Sequence, residues 1–274
     1  MASVRYRGRT LEYELHGRDP SQSHDAAPPL VLAMGMAGSL RGWLPLQVPE
    51  LGRKRQLLLF NHRGVGRSSD DGTPFTTADL ADDIVGLLDA LSLAQADVLG
   101  VFMGGMAAQE VALRHPARVR RLVLTGTYAR ADAKRRMLLD VWASLAASRT
   151  GVETMVRERM LWSLQDETLE QSDIIETMIS FLTREGLPVS ADLFARQCRA
   201  CAAHDTYDRL RELPHETLVV AGRHDQLTPP RLAREIADEA PRARLATIRH
   251  GAHLVMVESA ERFNRLVDDF LAAP

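Results

Sequence analysis

Two cysteines, Cys198 and Cys201, in a chain of 274 residues supply no disulfide framework. Charge of one sign is missing as well. Against 34 Lys and Arg stand 36 Asp and Glu, a formal net charge of -2, so no field is present that would hold nucleic acid or an anionic membrane, and neither partner is expected. No eighteen apolar residues follow one another and no basic-then-apolar run opens the sequence, so neither membrane spanning nor export is expected and a cytoplasmic location is. Internal repeats and low-complexity tracts are absent too. What is there is length: enough for one α/β domain with an inserted subdomain, burying its core without staples. The Arg- and Ala-rich usage resembles that of a high-GC bacterial gene.

Short unbroken apolar runs at 30–34, 57–60, 97–101, 119–126, 218–222 and 243–248 read as strands buried on both faces. Between them lie helical patterns. Residues 77–91 place Leu80, Ile84, Leu87, Leu88 and Leu91 at helical spacing behind Thr77 as a cap. Further helices are predicted over 104–115, stopped by Pro116, over 232–240 and over 260–272. This alternation predicts a mostly parallel, doubly wound α/β sheet, preceded by a hairpin over 1–16 and a turn over 17–29. Residues 128–212 keep helical periodicity without strand runs. They read as a helical lid inserted into a core formed by 1–127 and 213–274.

The stretch LGVFMGGM at 99–106 has the glycines of a tight strand-to-helix turn, with Phe102 at its apex. Four further stretches keep it company in order: MGMAGSLRGW at 34–43, FNHRGVGRSS at 60–69, AGRHDQLTPP at 221–230 and RHGAHLVMVESAERFN at 249–264. Together they resemble the oxyanion loop, the Asp-x-Arg-Gly-x-Gly-x-Ser loop, the nucleophile elbow, the acid loop and the histidine loop of the α/β-hydrolase fold. The likeness is greatest to its small lactonase, esterase and haloperoxidase-like members with a helical cap. The chain departs from the pattern at Met34, where the family usually has His, and at Asn61, where it has Asp.

The resemblance implies that Asp225 orients an imidazole, that His253 shuttles protons and that the backbone N–H groups of Met36 and Met103 face an oxyanion. It also implies that Phe102 stands in the nucleophile's place. A benzyl group carries neither proton nor lone pair, so no acyl-enzyme can form there. The expected activity is therefore cofactor-independent and non-hydrolytic, a lyase, cyclase or cofactor-free oxygenase using His253 and Asp225 as an acid–base dyad. Its small-molecule substrate would be aromatic or polyketide-like, in bacterial secondary metabolism such as antibiotic biosynthesis. Two alternatives stand beside this: a hydrolase of an ester, lactone or carbon–carbon bond using His-activated water, and a ligand-binding protein without turnover. A homodimer is possible in any of these. Retention of the elbow predicts a strained backbone at Phe102.

Other chemistry-bearing residues read as structural. Ser39 and Ser68 match loop serines, and His224 and His250 flank the matched positions. Cys198, Cys201 and His204 fall at i, i+3 and i+6, a spacing that suits core packing better than a metal site lacking its fourth ligand, so no metal is expected. Gly64 to Arg67 is no phosphate cradle, since no suitable helix follows. Trp142, Trp162 and Leu254 are candidates to line the substrate space; Phe181 joins the tryptophans as pocket wall or lid packing.

Overall fold

The computed structural model of the chain describes residues 2–18, 28–184 and 189–273. Most of the turn expected over 17–29 lies outside the described residues. The sequence folds, in chain order, as β1 (Ala2–Tyr6), β2 (Arg9–Gly17), β3 (Leu30–Ala33), α1 (Val48–Leu51), β4 (Gln56–Phe60), α2 (Thr77–Ala90), β5 (Ala96–Val101), α3 (Met103–Arg114) and β6 (Val119–Thr125). Five helices then intervene: α4 (Ala133–Ala147), α5 (Val152–Ser163), α6 (Asp166–Leu169), α7 (Ser172–Arg184) and α8 (Ala191–Ala202). The sheet resumes with β7 (Glu216–Gly222), α9 (Pro230–Glu239), β8 (Ala243–Ile248), α10 (Val255–Glu258) and α11 (Ala260–Ala272).

Eight strands form one sheet in the order β1-β2-β4-β3-β5-β6-β7-β8, antiparallel at the β1-β2 and β2-β4 junctions and parallel thereafter. β3 and β5 are buried along their whole length, as their unbroken apolar runs require once helices cover both faces. The parallel order brings the C-terminal ends of β3, β5, β6, β7 and β8 to one edge, where ligands bind in open α/β sheets.

The start of α2 corrects the sequence reading. Thr76, not Thr77, is the cap: its hydroxyl accepts from the Asp79 N–H while the Asp79 carboxylate accepts from the Thr76 N–H. Of two adjacent threonines, only Thr76 has an acid three residues on to complete this reciprocal pair. Thr77 is thereby freed, and its hydroxyl bonds His204 Nδ1 at 2.8 Å in the interior. Phe102 likewise precedes the first turn of α3, so that helix begins at Met103 rather than Gly104.

Two buried histidines make the fold acid-sensitive. Burial pushes His62 from 6.5 to about 4 and His204 from 6.5 to about 3. Folded rings therefore stay neutral below pH 6.5 while unfolded ones take up protons, so stability falls on acidification by about 1.4 kcal/mol per pH unit per histidine. His215, also lowered by burial, adds to the loss; the carboxyls of Asp83 and Glu110, raised by burial, oppose it. Urea unfolding is expected to lose about 3 kcal/mol between pH 7 and pH 5. A flat profile would show these rings to be solvated.

Candidate active site

The turn between β5 and α3 places Phe102 at φ 47° and ψ -110°, a conformation that costs on the order of 1–3 kcal/mol for a residue with a side chain. Three hydrogen bonds hold it there. The Phe102 N–H donates to Thr125 O at 3.1 Å, and its carbonyl accepts from the Met106 N–H at 3.0 Å and the Thr127 hydroxyl at 2.9 Å. Close approach explains the flanking glycines: a Cβ on Gly104 would lie 2.2 Å from the Ala33 carbonyl oxygen, and one on Gly100 would lie 2.3 Å from the Gly104 oxygen.

Asp225 follows β7 and His253 follows β8, and both side chains reach the same end of the sheet as Phe102. All three residues are buried, at 3%, 5% and 3% exposure for Asp225, His253 and Phe102. His253 Nδ1 lies 3.1 Å from Asp225 Oδ2 and 3.1 Å from Thr228 Oγ1. The Thr228 hydroxyl gives its own proton to Asp225 Oδ2 at 2.7 Å, and the Thr228 N–H donates to Oδ1 at 2.7 Å. With that proton committed, the Thr228 oxygen can only accept from the ring, which places a hydrogen on Nδ1 and, in the neutral tautomer, the lone pair on Nε2. Among the described residues nothing hydrogen-bonds Nε2. The ring instead meets Phe102 edge-on, centroids 5.3 Å apart at 81°, and Phe102 meets Tyr128 similarly at 6.0 Å and 79°. A Cβ on Gly126 would sit 2.9 Å from His253 Cε1, so glycine lets the ring lie against the end of β6.

The loop after β3 runs beside this group. A Cβ on Gly35 would lie 3.5 Å from Phe102 Cβ. Next along, the Met36–Ala37 peptide is gripped from both edges: its carbonyl accepts from Arg159 Nη2 of α5 at 3.2 Å, and its N–H donates to Gln197 Oε1 of α8 at 2.9 Å. Ala37 accordingly sits at φ 56°. Among the described residues the Met36 and Met103 N–H groups donate to no acceptor, Met103 being in the first turn of α3. Both departures from the family pattern have a physical role. Asn61 Oδ1 accepts from the Leu40 N–H at 2.7 Å and its Nδ2 donates to Glu12 Oε2 at 2.7 Å, which a carboxylate could not do. The Met34 side chain fills the space over Gly38 and Gly42, whose Cβ atoms would lie 2.5 Å and 2.7 Å from it.

The helices α5 and α6 are tied to the histidine loop. Leu254 N–H donates to Ser163 O at 3.0 Å and Gly251 N–H to Gln165 Oε1 at 2.8 Å. The Glu258 carboxylate accepts from the Ala252 N–H, the Gln165 N–H and the Thr168 hydroxyl, at 2.6, 2.9 and 2.8 Å. Thr228, Arg159 and Glu258 were all missed in reading the sequence. Only Thr228 carried a signal, three residues after Asp225 where a short hydroxyl side chain turns back on a carboxylate.

The remaining candidates are scattered. Trp142 is 1% exposed within the main core, whereas Trp162 is half-buried, its indole N–H donating to Glu158 at 3.0 Å under Lys134. Leu254 packs against a small cluster of Val156, Met160, Leu164 and Ile179. Phe181 is 47% exposed, which corrects its reading as pocket wall or packing; it lies on the solvent side of an amphipathic α7. Ser68 bonds the Asn61 carbonyl and the Glu12 N–H, a loop brace, and Ser39 precedes a short helical turn without capping it. His224 and His250 are exposed. His204 is held by Thr77 and Thr206. Burial pushes the Cys198 thiol up to about 12 and Cys201 well above its usual value, so neither supplies a thiolate.

Comparison with known proteins agrees with this architecture. The alpha/beta hydrolase fold family matches residues 28–260. A Caulobacter vibrioides protein that bears the provisional name carbamate hydrolase RutD is 31% identical over 268 residues, 95% of each chain. The 2-hydroxymuconate semialdehyde hydrolase of a Pseudomonas species is 33% identical over 260 residues, 91% of this chain and 89% of that one. The crystal structure of the enol-lactonase from Burkholderia xenovorans superposes with a TM-score of 0.88 at 27% identity, covering 99% of this chain and 100% of the other. With its strand order, its strained turn after β5 and the greater part of its length inside the family match, the chain belongs to the alpha/beta hydrolase fold family.

Proposed function

We propose that the protein is a hydrolase in which His253 activates water directly, acting on a small-molecule ester, lactone or carbon–carbon bond. The observation that carries this reading is the setting of His253: Nδ1 is tied to Asp225 and Thr228, while Nε2 is left without a hydrogen-bond partner among the described residues, beside an aromatic ring that has no hydroxyl to offer. In this reading Phe102 stands in the position of a serine nucleophile, and the α4 to α8 helices form a lid. Water gives a proton to Nε2 as its oxygen attacks the carbonyl carbon. The oxyanion so formed receives the N–H groups of Met36 and Met103, and the Nε2 proton then passes to the leaving group as the scissile bond breaks. Asp225 holds the imidazolium that exists between the two transfers. The relatives' names as hydrolases favour water as co-reactant over the lyase, cyclase and oxygenase reading, and they lend no support to antibiotic biosynthesis.

Turnover of a panel of 4-nitrophenyl esters and lactones in 18O-labelled water tests the reading. Expected are a single 18O in each acid product, no protein adduct by intact mass, and full activity after treatment with a fluorophosphonate. An acylated protein or fluorophosphonate inactivation would overturn it, as would a panel left untouched.

A further inference from the structure

Among the described residues four interior arginines face carboxylates, Arg55 with Asp268, Arg63 with Asp83, Arg135 with Asp132, and Arg196 with Asp70 and Asp192, while Arg121 donates to the Leu271 carbonyl. Such pairing is the rule, because a guanidinium cannot shed its proton and its desolvation must be offset. Arg159 of α5 departs from it. Among the described residues no carboxylate lies within ion-pair distance, and its polar contact is the Met36 carbonyl, with the Phe194 ring 5.7 Å beneath the guanidinium. It lies deep enough for burial to lower its pKa, and yet the side chain keeps accessible surface. None of its nitrogens is among the sealed polar atoms that lack partners. Its spare N–H groups therefore stay open to solvent or to a ligand.

Position says what they face. Arg159 and Ser163 are one turn apart on the same face of α5, Arg159 reaching the Met36 carbonyl and Ser163 accepting from the Leu254 N–H. Met36 is one residue from Gly35, which abuts Phe102, and Leu254 is one residue from His253. This face of α5 therefore bridges the two sides of the candidate site, with a fork of unused N–H donors at the Met36 end.

We infer that Arg159 forms a carboxylate-binding subsite, so that the substrate hydrolysed is an acid carrying its scissile group at a short distance from a free carboxylate. The inference rests on the hydrolytic reading for the reaction but not for the binding. A guanidinium with donors to spare accepts a carboxylate through two parallel hydrogen bonds, and the Phe194 face steadies the cation from behind. The subsite would thereby also set which end of the substrate faces His253.

The test is calorimetric titration of the intact protein with the dicarboxylates malonate, succinate, glutarate and adipate, and with the neutral diamide of each. At least one dianion should bind at least tenfold more tightly than its diamide. Arg159→Met should lose that preference, and Arg159→Lys, which keeps the charge without the fork, should keep part of it, both melting as the parent does. Should Arg159→Met fail to fold, the parent and Arg159→Lys decide: equal affinity in both for the preferred dianion would overturn the bidentate subsite. So would parental binding that does not discriminate dianion from diamide, or no binding anywhere in the series. Mono-4-nitrophenyl esters of the same acids separate the two readings. A dianion that binds through Arg159 while its ester is not hydrolysed keeps the subsite and removes the hydrolase.

Discussion

Phe102→Ser is expected to react with one equivalent of a fluorophosphonate that leaves the parent chain untouched. The strained turn is held by backbone bonds to Thr125 and Met106 and by the Thr127 hydroxyl, none of which uses the benzyl group. A serine there inherits φ 47° and points its oxygen toward the space now filled by the ring, which meets His253 edge-on at 5.3 Å. With Nδ1 protonated, Nε2 is ready to take the serine proton, and the Met36 and Met103 N–H groups stand free to receive the anionic oxygen. The exchange also removes a buried ring in contact with Tyr128 and His253, at a cost of about 3–5 kcal/mol, so the variant should melt well below the parent. A folded Phe102→Ser protein that resists labelling would mean that His253 and the free N–H groups are not aligned on the elbow.

His253→Ala should lower ester turnover by about 10²- to 10⁴-fold while leaving binding of substrate analogues nearly unchanged, since the ring moves protons and holds no ligand in the proposed chemistry. Asp225→Asn should fall in the same range for a different reason. An amide that donates toward Nδ1 would force the hydrogen onto Nε2 and leave the base without its lone pair. Thr228→Val keeps the carboxylate and loses one of two acceptors for Nδ1–H, so a drop of roughly tenfold is expected. Equal turnover in parent and His253→Ala would end the catalytic reading of His253, and binding without turnover in either would leave a ligand-binding protein. Loss of binding and turnover together would assign His253 to the ligand's seat.

Much of this arrangement was open to reading because the physics was local. The runs in β3 and β5 must be apolar throughout if helices cover both faces, and the spacing of Gly100, Phe102 and Gly104 answers to backbone atoms between two and three ångströms from any added Cβ. Asp225 and His253 sit in loops whose neighbours keep the family's order. What escaped depended on chain segments meeting across large separations. Arg159 is an unremarked arginine in a polar helix until α5 is laid over Met36, 123 positions away in sequence. Phe181 shows the opposite failure, an aromatic at helical spacing whose face of α7 turned out to be the wet one. The choice between Thr76 and Thr77 was settled by the acid three residues after the first, a detail that apolar periodicity does not register.

The Glu258 carboxylate joins residues 165 and 168 to residue 252, one position from the imidazole. Any outward swing of α5 and α6 would have to strip this acceptor of its donors at 165 and 168 and break the Ser163–Leu254 contact. In the proposed chemistry this fastening makes the placement of the base depend on the position of these helices. Loading substrate past another edge would leave these bonds, and the imidazole loop they hold, in place.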